Sequence, residues 1–431
     1  MARIHWLDAL LAPLTWLERA RGRRRLALLW LYASILVVGG VLVGREAVLW
    51  QLPGAPEPFD LARYGHVYLA DSDNAMVFYK QATKLLVFDP TVFESLPKGA
   101  GQQWHWARAD PKVRAWVGSN RAALEAWLEG TGRPDALSVQ PERFSVSTPL
   151  EAISDLQILS YLGIVEATRR HDSGDLEGAW TCHRGAIRSS LHAGRHAGMN
   201  PSLFGSSILR RAIPAALDWA DDPRLTPELL RRALADLAEC RSLASLPSDA
   251  IRVEYFSTRS ALADPGRWLA WQVEPSDPNL WYNHLPGVSW ARDFFWNEPR
   301  RSQKILRLIT AGQLAQSDSP ADTRLPMISP RYAIYAIGTA TPRNLARIDP
   351  RRLVAWAEAS GCRVVMPNFT YFSTFVQANE GLLDKLRLRL AERIFQHDHA
   401  GQPPRVYGDL FPAYLDALPP GTLAGDLLAA P

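Results

Sequence analysis

Across 431 residues the chain carries 48 basic against 44 acidic side chains, and six Arg with only two acidic residues fall in the first 25, leaving 42 of each beyond them. The bulk of the protein is therefore formally neutral, and the excess positive charge is a terminal cluster that anionic lipid attracts, which excludes a nucleic-acid partner. Three cysteines, Cys182, Cys240 and Cys362, have neither C-x-x-C nor zinc-ligand spacing; they exclude a dense disulfide framework and read as small buried hydrophobes.

From the amino terminus, Trp6, Leu7, Leu10, Leu11, Leu14 and Leu17 recur at three- and four-residue steps, interrupted by Pro13. An amphipathic helix on the inner membrane surface fits this pattern as well as a plain extension of a membrane anchor or a disordered tail does. Residues 26–44, LALLWLYASILVVGGVLVG, are uncharged and lie between Arg23, Arg24 and Arg25 on one side and Arg45 on the other. At 1.5 Å of rise per residue the run spans roughly 28 Å, close to the hydrocarbon thickness of a bilayer. The long approach and the lack of a small-x-small site after it point to a retained signal anchor rather than a cleaved signal. Arginines ahead of the run place residues 1–25 in the cytoplasm and residues 45–431 outside, making this a single-pass protein of the inner membrane with lipid as one partner.

A linker over residues 45–62, rich in Pro and Gly at QLPGAPEP, leads into the exterior domain, 63–431. Asp73 is positioned to cap a helix through AMVFYKQATKLL. With Asp71 and Asn74 it superficially evokes a calcium loop, but Ala75 and Met76 stand where a ligand and a turn glycine belong. Asp110 with Pro111 opens PKVRAWVGSNRAALEAWLEG as one helix, and Thr226 with Pro227 opens ELLRRALADLAEC. Between these lies a helical hairpin: Leu150, Ile153, Leu156, Leu159, Leu162 and Val165 form one stripe, HDSGD a turn, and Leu176, Ala179, Trp180, His183, Ala186 and Ile187 the next. Through Gly174, Asp175, Ala179 and Ala186 the second half resembles the second helix of a tetratricopeptide repeat. Its first half departs from that motif at Gly163, Glu166 and Ala167, and no copy recurs at a 34-residue period.

Residues 264–299 read as a long ordered loop containing Trp268, Trp271, Trp281, Tyr282, Trp290 and Trp296 among several prolines. Exposed, these rings would bind a glycan or a protein; buried, they would close one end of a core. The loop divides the exterior part into 63–263 and 300–431. CRVVMPNFTYFSTFV, residues 362–376, is the best strand candidate, with Pro367 favouring an edge or a loop; the glycosylation tripeptide at Asn368 reads as incidental.

No catalytic or cofactor motif stands out: G-x-S-x-G, GxxxxGK, GxGxxG and H-E-x-x-H are all missing from the chain. His192 and His196, four apart, with His183 and Cys182 one helix earlier, form a zinc set only on paper, so neither metal nor cofactor is expected. A glycan-directed hydrolase would use a carboxylate such as Glu298 or Asp293 as acid or base beside the Trp-rich loop.

The carboxyl end reads as a helix, LLDKLRLRLAERIFQHDHAG, followed by QPPRVYGDLFPAYLDALPPGT. Pro412, Tyr414, Leu415, Leu418 and Pro419 match the tail of many bacterial membrane-anchored proteins, and the segment is similar to one of pseudopilins. With DNAMVFYKQA and residues 297–326, the layout resembles a planctomycete-type family of bacterial single-pass proteins. That resemblance implies an anchored exterior domain and brings no activity with it. The expected fold is mainly α: a transmembrane helix followed by an irregular antiparallel helical bundle or short α-solenoid with a long aromatic-rich loop. The leading functional expectation is a non-enzymatic binding or scaffold protein of the cell envelope, for a protein or glycan partner. The alternatives are the glycan hydrolase and a pseudopilin-like assembly component.

Overall fold

The computed structural model describes residues 21–50, 56–95, 105–145, 148–149, 151–263, 298–319 and 369–417. These are mainly helical, as expected, and among them the one β-type pairing is an isolated bridge between Asn74 and Asp135. The chain divides into two compact units, one of residues 1–56, 262–309 and 327–364, the other of 57–261, 310–326 and 365–431.

The first unit contains α1, Arg23–Trp50. Its segment Arg23–Gly44, 22 residues of mean hydropathy 2.4, is long and apolar enough to cross a membrane, and none of it is buried in protein. Leu36 and Val43 are 75% and 71% exposed on this helix, an arrangement that is costly in water and free of that cost in hydrocarbon. The helix continues to Trp50, past the end of the apolar run.

The second unit is built from α2 (Leu61–Gly65), α3 (Ala75–Leu85), α4 (Pro90–Ser95), α5 (Pro111–Ser119), α6 (Arg121–Thr131), α7 (Glu151–Asp172), α8 (Leu176–Gly194), α9 (Met199–Ala220) and α10 (Pro227–Ser242). Most of α11 (Pro247–Ala263) and all of α13 (Phe369–Asp398) belong here too; α12 is Glu298–Leu314. Asp110 and Thr226 cap α5 and α10 as the sequence suggests. The cap of α3 is Asn74, not Asp73. Its Oδ1 accepts from the Met76 and Leu137 amides at 3.0 and 2.9 Å while its Nδ2 donates to the Leu137 carbonyl at 3.0 Å. An aspartate has no hydrogen for that last bond.

The single helix expected after Asp110 is interrupted at Asn120. Its buried side chain accepts from the Val87 amide at 2.7 Å and donates to the carbonyls of Val87 and Trp116 at 3.1 and 2.9 Å. This competition with the helix backbone marks the boundary between α5 and α6.

The predicted hairpin is α7 and α8, joined through Gly174 at φ +88°, a left-handed conformation that glycine adopts without strain. Within the two apolar stripes Ile153, Leu156, Leu159, Leu162 and Val165 are buried, as are Ala179, Trp180, Ala186 and Ile187, and Leu176 is half-buried, while Leu150 lies outside the described residues. Trp127 of α6 drives its ring against the hairpin where Gly163 and Gly185 leave room. Trp180 and Trp219 stack at 4.9 Å in the same core, their indole N–H groups donating to Asp236 and to the Leu176 carbonyl.

Residues 369–376, part of the expected strand, are helical, because they open α13. This helix lies along α9 and α10 and buries Leu386, Leu390 and Ile394 in the common core. Beyond it, Leu410 and Leu415 pack on Ala391, and Tyr414 meets Phe395 edge-on. Leu418 and Pro419 lie outside the described residues.

Candidate binding pocket

The six aromatic residues expected to form a binding surface, Trp268, Trp271, Trp281, Tyr282, Trp290 and Trp296, lie outside the described residues, as do Asp293 and Cys362. Arg23, Arg24 and Arg25 are exposed at the start of α1, and Arg45 follows Gly44 within it. Glu298 is the first residue of α12.

The histidines considered for a metal are separated into different structural contacts. His192 is buried and its Nδ1 lies 2.7 Å from the Tyr79 hydroxyl. His196 instead pairs with Asp135 at 3.0 Å. His183 is buried with no hydrogen-bond partner for either ring nitrogen. Among the described residues no three His, Cys, Asp or Glu side chains are grouped to hold a metal ion.

The electrostatics of this inner face are those of structural locks. Burial holds the imidazoles of His183 and His192 down to about 3, assisted by the charges of His171 and Arg188 respectively. Burial likewise pushes the Cys182 and Cys240 thiols up to about 12 and 11, leaving neither as a thiolate nucleophile near neutrality. Desolvation raises the Asp135 carboxyl, but hydrogen bonds from His196, Arg195 and the Ala136 amide outweigh it and hold the group well below the usual range. The buried Arg188 guanidinium donates to the carbonyls of Thr131 and Arg133 at 2.5 and 2.8 Å and to Glu239 at 2.6 Å. These contacts fix α8 to its neighbours and leave its charged groups already partnered.

A pocket of about 80 Å³ opens between Ser190, Leu191 and Gly194 of α8, Ser202, Gly205, Ser206 and Leu209 of α9, the connection Ala244–Ser245–Leu246, Ala250 of α11, and one face of α13. That face contributes Phe372, Val376, Asn379, Glu380 and Leu383. Most of the wall is apolar, with Asn379 as its buried polar residue on α13 and Glu380 exposed beside it. The side chain of Asn379 donates to Ser206 across the α13–α9 contact. Leu246 is 55% exposed at the pocket.

Neither Asn379 nor Glu380 stood out in the sequence, although a signal was present. Phe372, Val376, Asn379, Leu383, Leu386 and Leu390 follow one another in alternating steps of four and three, the spacing of one helix face. Asn379 is the polar residue in that apolar series. Reading residues 362–376 as a strand cut the series at its start. Comparison of the chain with protein-family models, with curated proteins and with solved structures finds no match.

Proposed function

We propose that the chain is a single-pass membrane protein of the bacterial envelope, with its amino terminus in the cytoplasm, whose helical exterior domain is a binding module for a protein partner. The observation that carries this reading is the pocket between α8, α9, α11 and α13, apolar along most of its wall and polar at Asn379. A concave apolar surface with a few placed polar groups is the usual form of a recognition site. The exposed apolar helix α1 supports the anchor, and the arginines ahead of it support the orientation.

The test is site-specific photo-crosslinking of the full-length protein in native membranes. A photoreactive residue at Leu246, beside the pocket, is expected to yield a discrete protein adduct, whereas one at Tyr68, 91% exposed and not part of the pocket, is not. Absence of any adduct from position 246, or the same adducts from both positions, would overturn the reading.

A further inference from the structure

The serine hydroxyls lining the pocket offer lone pairs and no hydrogens. Ser190, Ser202, Ser206 and Ser245 donate to the carbonyls of Ile187, Gly198, Ser202 and Gly194 at 2.6, 3.0, 2.9 and 3.2 Å. A hydroxyl has one hydrogen and a carbonyl can only accept, so all four serines have spent theirs. This fixes the orientation of Asn379. Because Ser206 has no hydrogen left to give, the asparagine must turn its Nδ2 toward it, and Oδ1 is then left without a donor in a side chain only 9% exposed. A leucine at 379 would continue the apolar face of α13 without that unmet demand.

Glu380 lines the same pocket and has no ion-pair or hydrogen-bond partner among the described residues. Arg241, whose charge acts on it, is held by Asp384 at 3.0 Å. A complementary ligand therefore has hydrogens to donate, a positive charge and an apolar stem. An ammonium concentrates three donors at one point, whereas a guanidinium spreads five over a rigid plane.

We propose that the pocket receives a lysine side chain of the protein partner, its four-carbon stem lying against Leu191, Leu209, Phe372, Val376 and Leu383 and its ammonium donating to Asn379 Oδ1 and the Glu380 carboxylate. This deepens the binding reading above and rests on it. Buried methylenes contribute apolar contact while the charged head reaches the acceptors, a division of labour that suits a long amphipathic side chain.

Titration calorimetry of the full-length protein in detergent micelles tests it, with Nα-acetyl-lysine N-methylamide as the probe. The matching norleucine, Nε-acetyl-lysine and arginine compounds serve as comparisons. The lysine probe is expected to bind at least tenfold more tightly than each of the three. Asn379→Leu and Glu380→Gln are each expected to weaken it at least tenfold with an unchanged circular dichroism spectrum; Glu380 is exposed, so its variant reports even where position 379 disturbs folding. Equal binding of the norleucine or arginine compound, wild-type affinity in Glu380→Gln, or no binding of the lysine probe up to about 20 mM would overturn the inference. If the adduct from position 246 forms while the lysine probe stays silent, this inference alone falls; if both fail, the binding reading falls with it.

Discussion

Trp127 shows how single residues set the tolerance of this fold. A methyl group added at Gly163 would sit 2.3 Å from the indole ring, and one at Gly185 would sit 2.9 Å from it. The ring is buried on all sides, so it has nowhere to retreat. Gly163→Ala should therefore destabilise the protein by about 1–3 kcal/mol, the range for overpacking a filled core, despite alanine's better helix propensity. Thermal unfolding of the detergent-solubilised chain would show it, and an unchanged or raised midpoint would mean the α6–α7 contact is looser than these distances require. Asn379 is the opposite case, a residue whose removal should help. Its unpartnered Oδ1 costs about 1–3 kcal/mol relative to a satisfied or absent polar group. Asn379→Leu should thus hold or raise the unfolding midpoint; a marked fall would assign the asparagine a structural role through Ser206.

At the scale of elements, the sequence was readable where local chemistry and burial agree. Asp110 and Thr226 cap helices because each oxygen has a first-turn amide within reach, and the inward stripes of α7 and α8 need no partner's identity to be recognised. Asn74 and Asn120 were not readable in that way. Each acts on a backbone segment distant in sequence, Leu137 and Val87 respectively, and nothing local announces such a pairing. The start of α13 failed for another reason: β-branched and aromatic residues before Val376 favour a strand in isolation, while packing of Phe372 and Val376 on Met199 of α9 and Ala250 of α11 decides for a helix. The pocket was hidden by that same misreading, since one wall belongs to α13. Packing, rather than charge, should hold this helix in place. Leu390 is fully buried, and Leu390→Ala is expected to cost about 2–5 kcal/mol. Arg231 and Arg241 bond Asp398 and Asp384 at 2.7 and 3.0 Å and are themselves about half exposed, so replacing either with alanine should cost less than Leu390→Ala, under about 1 kcal/mol for the more exposed Arg231–Asp398 pair. Unfolding midpoints of the three variants compare the two contributions directly, and an arginine variant as damaging as Leu390→Ala would reverse this ranking.

For the whole molecule, the buried histidines make stability a function of pH. His183 and His192 have folded-state values near 3 against an ordinary 6.5, so between those limits the unfolded chain binds protons that the folded chain refuses. Stability therefore falls as pH drops from about 6.5 toward 3, by up to about 1.4 kcal/mol per pH unit for each histidine. Lower in the range the carboxylates join in the same direction. Asp135, Asp222 and Glu166 are held below their usual values by hydrogen-bonded cations, and their contribution is lost as pH falls through those lowered values. Glu254 opposes this: burial raises its carboxyl, so the folded state takes up a proton first and gains on acidification. The histidine window can be isolated because His183 makes no hydrogen bond that a substitution would break. In His183→Leu the unfolding midpoint of the full-length protein should vary less with pH between 6.5 and 4 than in the parent, with the steeper loss below pH 4 retained. If both proteins showed the same slope above pH 4, the His183 imidazole would have to be charged in the fold or solvated there, against its burial without a hydrogen-bond partner.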